Sequence, residues 1–172
     1  MSGYERNGRV DELYSLHHPA LERYLVRLTG DEEVAADASQ EAFVRLLQQE
    51  DLPPAPRAWL FRVATNHVRD NARRARRRRE LSFDGRARGA HGDSAEPADR
   101  RASRSRAAQT LRKVLDELSP KERQALLMRE EGFRHREIAE AVGTTTGSVG
   151  TLLRRAIEKA AARLGAPPEN TR

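Results

Sequence analysis

Apolar positions recur at helical spacing along most of this chain, and two breaks divide them. Leu21, Tyr24, Leu25 and Leu28 fall on one stripe that Gly30 closes, and a second helix is predicted from near Asp31 to about Gln49. DLPPAP, Asp51 to Pro56, stops the pattern, because proline lacks the N–H that a helix interior needs. A third helix follows, with Trp59, Leu60, Val63, Ala64 and Val68 on its apolar side and a run of arginines at its end. From Leu81 to roughly Arg106, LSFDGRARGAHGDSAEPADRRASRSR offers almost nothing to a core, so a flexible linker is expected. The helical period returns with Leu111, Val114, Leu115 and Leu118. Ser119, Pro120 and Glu122 then mark a helix start, as N-cap, first-turn proline and capping-box partner. Leu126, Leu127 and Met128 fill that helix, and Gly132 ends it.

The next stretch, REIAEAVGTTTGSVGTLLRRA, holds two short apolar stripes. Ile138, Ala139 and Val142 form one, and Val149, Leu153 and Ala156 the other. Gly143 stands where a positive φ would end the first helix, and the Thr145 hydroxyl can cap the second. Such a pair reads either as a DNA-binding helix-turn-helix or as an ordinary helical hairpin. The expected fold is all-α: two small helical domains joined by a flexible linker, the C-terminal one a helix-turn-helix of the winged-helix-like kind. The expected bounds are 10–80, 81–106 for the linker, 107–165, and a disordered tail over 166–172.

Composition narrows the function. Charged residues make up 34% and aromatics 5% of the 172 residues, which suits modest helical cores. The formal net charge of +6 calls for an anionic partner. Arginine dominates, the lysines being Lys113, Lys121 and Lys159, and its guanidinium fork suits phosphates and guanine edges. With no cysteine there is no disulfide, thiol chemistry or cysteine-held zinc. No paired carboxylates, nucleophile with a base, or phosphate-cradling glycine loop can be picked out. His17 and His18 point to different helix faces, so no enzyme, metal site or cofactor is expected. MSGYERNGRVDELY lacks a signal-peptide core and no apolar run reaches spanning length, so a cytoplasmic protein without membrane insertion is expected.

Three segments carry a resemblance. EVAADASQEAFVRLLQ, Glu33 to Gln48, resembles the signature D-x-x-Q-E-x-F. PRAWLFRVATNHVRDNARRARR, Pro56 to Arg77, resembles W-L-x-R-I-A-x-N with a basic extension. LSPKERQALLMREEGFRHREIAEAVGTTTGSVGTLLRRA resembles the matching C-terminal helix-turn-helix. Together, in this order and spacing, they resemble the extracytoplasmic-function group of bacterial sigma factors, over nearly everything outside the linker and tail. The resemblance implies a subunit that binds core RNA polymerase, at the clamp of the largest subunit and the flap of the second largest. It implies recognition of a proximal (−10) and a distal (−35) promoter element, with help in melting DNA and with the catalytic metal left to the polymerase. It also brings in an anti-sigma protein as a partner, which no residue here identifies.

Candidate residues follow. Asp37, Gln40, Glu41 and Val44 share one face of the second helix, opposite Ala35, Ala38, Ala42 and Leu46. A polar face with an apolar insert fits protein docking better than solvent alone, and the resemblance makes the clamp its partner. On the third helix, the Asn66 amide could read a base edge or be an idle surface group. Trp59 could wedge the duplex fork or simply belong to the core, and Arg62 lies one turn away as a phosphate contact. Arg73, Arg74, Arg76, Arg77, Arg78 and Arg79 repel one another unless a polyanion neutralises them.

In the helix-turn-helix, Thr145, Thr146, Gly147 and Ser148 would present hydroxyls and a positive helix end to phosphate. Thr151, Arg154 and Arg155 lie further along for backbone or base-edge contacts. Gly150 and Leu152 stand where relatives commonly carry basic residues, whereas Arg134, His135 and Arg136 open the preceding helix. Arg134 is a poor cap, but it and Arg136 would suit a DNA phosphate. A free-standing helix-turn-helix regulator is the rival reading, and the docking face together with the arginine helix argues against it. A recombinase would need a nucleophile among supporting arginines, and Tyr4, Tyr14 and Tyr24 have no such surroundings.

Overall fold

The structure, a computed structural model, describes residues 3–82 and 106–165. Seven α-helices make up the described residues: α1 (Gly3–Thr29), α2 (Glu32–Leu47), α3 (Pro56–Ser82), α4 (Arg106–Glu117), α5 (Pro120–Glu130), α6 (His135–Val142) and α7 (Thr146–Leu164). The helix-turn-helix carries no β-wing among them. Leu81 and Ser82 end α3 rather than opening a linker. The rest of the expected linker, and the tail, lie outside the described residues.

Local chemistry accounts for most boundaries. Asp31 caps α2 by accepting from the Glu33 and Val34 N–H groups at 2.9 and 3.1 Å. Ser119 accepts from the Glu122 N–H while the Glu122 carboxylate accepts from the Ser119 N–H, closing a capping box. Gly143 takes φ +69°, a left-handed conformation that a side chain resists, and so turns the chain between α6 and α7. Pro19 sits inside α1, where it removes one backbone hydrogen bond without ending the helix.

In the N-terminal half, α2 buries Ala35, Ala38, Ala42, Phe43 and Leu46. They pack beside Leu21, Tyr24 and Leu25 of α1 and Leu60, Phe61 and Ala64 of α3. The buried Tyr24 hydroxyl lies 2.8 Å from Thr65 Oγ1. Burial, only partly offset by that hydrogen bond, pushes its pKa up to about 12, so the phenol stays neutral.

In the C-terminal half, Ile138, Val142, Val149, Leu153 and Ala156 close over Leu115, Leu118, Leu127 and Met128. Glu122 is buried there, with Lys159 Nζ at 2.7 Å. Burial raises the Glu122 pKa, but hydrogen bonds from Lys159 and Ser119 outweigh it and hold the carboxyl below its usual value. Its stabilisation is therefore complete above the ordinary carboxylate pKa and is lost as pH falls through the lowered one. Glu122→Gln is expected to cost about 1–3 kcal/mol at pH 7 and to flatten the loss of thermal stability below about pH 5. Melting followed by circular dichroism at pH 7 and pH 4 checks both.

The two halves, expected on a soft tether, also touch. Phe61 of α3 meets Phe133, in the α5–α6 turn, with ring centroids 4.7 Å apart, and Arg57 stacks over Phe133 at 4.2 Å. The buried cluster runs without a break from Val10 to Ala156.

Candidate docking and nucleic-acid surfaces

On α2 the four expected docking residues stand on one face, turned away from the core. Asp37, Gln40 and Val44 are exposed and Glu41 is half-buried, while Ala35, Ala38, Ala42 and Leu46 lie beneath. Neighbours from α1 enlarge that face. Gln40, Phe43, Val44 and Leu47 line a groove of about 460 Å³ with Val10, Tyr14 and His18. Tyr14 stacks on His18 at 4.5 Å and tilts against Phe43 at 4.8 Å, so the groove has an aromatic floor. Sequence reasoning missed Tyr14, His18 and Phe43. The available signal was the i, i+4 spacing of Tyr14 and His18, outside the Leu21–Leu28 stripe.

Two of the acids already have intramolecular partners. Glu41 accepts from Arg45 Nε at 2.7 Å, an exposed i, i+4 pair of small energetic weight. Asp37 lies 2.8 Å from His67 Nε2 of α3, which is itself 2.8 Å from Asn71 Nδ2. These contacts tie the α2 face to α3.

Along α3 the candidates separate by depth. Trp59 is half-buried against the core while still lining a cleft. Arg62 is half-buried and reaches Glu140 of α6 at 3.2 Å. Asn66 is exposed. Beyond it, Arg73, Arg74, Arg76 and Arg77 line a wide, open concavity of about 620 Å³, with Asp70 the one acid among the described residues that line it. The side chain of Arg79 lies outside the described residues. Four cations around one carboxylate make a surface of positive potential, suited to a polyanion.

The helix-turn-helix presents its polar start outward. Thr145 Oγ1 accepts from the Ser148 N–H at 3.2 Å, and Thr146, Gly147, Ser148, Gly150 and Thr151 are exposed above buried Val149, Leu153 and Ala156. Nothing stands within 4 Å of where a Cβ of Gly147 or Gly150 would lie, so the helix offers a flat approach. Arg154 pairs with Glu158 at 3.5 Å and Arg155 is exposed. At the start of α6 the Arg134 side chain makes no cap bond, and Glu137 accepts from its N–H at 2.8 Å. Arg136 is exposed and shares the Trp59–Arg62 cleft. The described residues contain no cluster of His, Cys, Asp or Glu able to hold a metal, and none of their helices is long and apolar enough to cross a membrane.

Comparison with known proteins adds the lineage of these surfaces. Residues 13–78 match Sigma-70 region 2, and residues 108–159 match Sigma-70, region 4. The chain is 32% identical over 153 residues to the ECF RNA polymerase sigma factor SigL of Mycobacterium tuberculosis, covering 84% of this chain and 82% of that protein. It is 29% identical over 151 residues to the ferric citrate uptake sigma factor FecI of Escherichia coli, covering 86% of each. Its fold matches that of the sigma factor RpoE of Bartonella quintana, solved in complex with the anti-sigma factor NepR. That match has a TM-score of 0.70 and 20% identity and covers 90% of this chain and 96% of the other.

Proposed function

The chain belongs to the extracytoplasmic-function group of sigma-70 family RNA polymerase sigma factors, and from that membership we propose how its own residues divide the work. The unit over 10–80 binds core polymerase and opens the proximal promoter element. The unit over 107–165 reads the distal element. The single observation that carries this division is the pairing of two unlike surfaces on one helical unit. A polar-apolar groove around Gln40 and Val44 lies on α2, and an arginine concavity lies on α3. A free-standing regulator needs only the second.

Asp37, Gln40, Glu41 and Val44 meet the clamp of the largest subunit. Arg73, Arg74, Arg76 and Arg77 neutralise phosphates beside the melted region, while the exposed Asn66 amide reads a base edge. Thr145, Thr146, Gly147 and Ser148 seat α7 on the DNA backbone, and Thr151, Arg154 and Arg155 follow along the groove. The chain supplies binding and orientation, and the polymerase supplies the catalysis. It works in the cytoplasm. An anti-sigma protein is a natural regulatory partner, since the fold is shared with a sigma factor solved bound to one. Core dependence tests the division: alone the chain should bind duplex DNA weakly, whereas with core polymerase it should protect discrete sites. Nanomolar operator binding without polymerase would contradict it.

The Arg134 cap gives a finer prediction. Serine there would complete a capping box with Glu137, so Arg134→Ser should raise thermal stability by about 0.5–1 kcal/mol. It should also weaken distal-element binding evenly across sequences, as loss of a phosphate contact does. Gly150→Lys, for which α7 has room, should restore part of the loss in a binding assay at physiological salt.

A further inference from the structure

Asp37 differs from its neighbours on the α2 docking face in what holds it. Glu41 pairs with Arg45 of its own helix, whereas Asp37 is gripped from α3. Its Oδ2 lies 2.8 Å from Nε2 of His67, and the His67 side chain is 17% exposed against 66% for Asp37. The same ring nitrogen lies 2.8 Å from Asn71 Nδ2, one helical turn further along α3. One nitrogen cannot satisfy both neighbours, because a carboxylate needs an N–H and an amide N–H needs a lone pair. With a proton on Nε2 the ring donates to Asp37, and Asn71 competes for the same position. With a lone pair there the ring accepts from Asn71, and the carboxylate is repelled toward solvent.

We infer that His67 is a positioning residue for polymerase docking: with the proton on Nε2 it fixes the Asp37 carboxylate on the α2 face before the polymerase arrives, and Asn71 is the competitor for that proton. The inference rests on the reading of this face as the docking surface given above. A hydrogen bond donated to a carboxylate is roughly twice as strong as one between neutral groups, so the ring favours Asp37 over Asn71. An exposed aspartate otherwise samples several rotamers, and a partner must stop that motion on binding. Held through Oδ2, Asp37 meets the partner already ordered. Its Oδ1, which has no hydrogen bond among the described residues, is left to accept from a donor on the polymerase. His67 therefore acts through Asp37, from the helix that also carries the exposed Asn66 and the arginine concavity.

The affinity of the full chain for purified core polymerase tests this, by competition against a fluorescently labelled copy, with circular dichroism checking each variant's fold. His67→Ala should weaken binding about threefold to tenfold, the size of one side chain's ordering cost. His67→Gln, which keeps an N–H at similar reach, should restore most of that loss. Asn71→Ala should tighten binding, by about twofold if the two neighbours share the ring evenly. In an Asp37→Ala background, His67→Ala should have no further effect, since the group it acts through is gone. Nitrogen-15 spectra of the free chain should show His67 Nε2 protonated. An equal loss from His67→Ala with and without Asp37 would make the histidine a packing residue only, and a lone pair on Nε2 would place the ring on Asn71. Either result overturns the inference and leaves the docking surface standing. Normal polymerase binding by Asp37→Ala alone would instead contradict Asp37's place on that surface, and the inference would fall with it.

Discussion

Replacing Arg73, Arg74, Arg76 and Arg77 together by glutamine is expected to flatten the salt dependence of promoter opening more than any other change in this chain. Each phosphate contact contributes roughly 0.7 to 0.9 to the log–log slope of affinity against salt, so four lost contacts should remove about 3. Between 50 and 200 mM salt the wild type would then lose on the order of a hundredfold more of its affinity than the variant does. The arginines fit this role because they line one concavity, together with Asp70, on the exposed end of α3. Their removal should leave the fold alone, as none belongs to the buried cluster. Opening is read with a fluorescent base in the proximal element, across a salt series. An unchanged slope would make the run a solvated tail.

The second large effect is expected on the other face of the same unit. Gln40→Ala with Glu41→Arg should abolish co-purification with core polymerase while leaving the circular dichroism spectrum intact. Gln40 and Val44 border the groove floored by Tyr14 and Phe43, and a docked helix would have to desolvate the Gln40 amide. Arginine at 41 would also face Arg45, one turn away and now unpaired, leaving two like charges at the rim. The cost to the folded chain is small, because the lost Glu41–Arg45 pair is exposed. The cost to the interface should be at least tenfold in affinity, as for a buried interfacial group left without its partner. Normal co-purification would place the polymerase contact elsewhere.

Much of the fold was legible because its signals are local. Asp31, Ser119 with Glu122, Gly143 and Thr145 each act within one turn of their own position, and each caps or turns where its side chain and φ dictate. The stripe Ala35, Ala38, Ala42 and Leu46 was likewise set by helical periodicity alone. The start of α1 was not legible, since residues before Val10 carry no core-facing stripe. The end of α3 was blurred because polar Leu81-Ser82 surroundings read as linker.

What lay furthest from view was long-range. Arg27 and Glu130 stand 103 residues apart, and nothing near either announces the other. Phe133 carries no pattern of its own in the sequence, although its ring completes the contact between the halves. For the same reason Arg62 looked like a plain phosphate contact until its pairing with Glu140 placed it in an intramolecular cleft. The docking face was found on α2 but only half drawn, because its aromatic floor comes from Tyr14 and His18 of another helix.

Run-off transcription with purified core polymerase and fragmented genomic DNA tests the central claim most directly. With the chain present, transcripts should begin at a small set of discrete sites that share two conserved elements, and without it those transcripts should be absent. Initiation unaltered by the chain, or repression of transcripts that the core polymerase already makes, would contradict it.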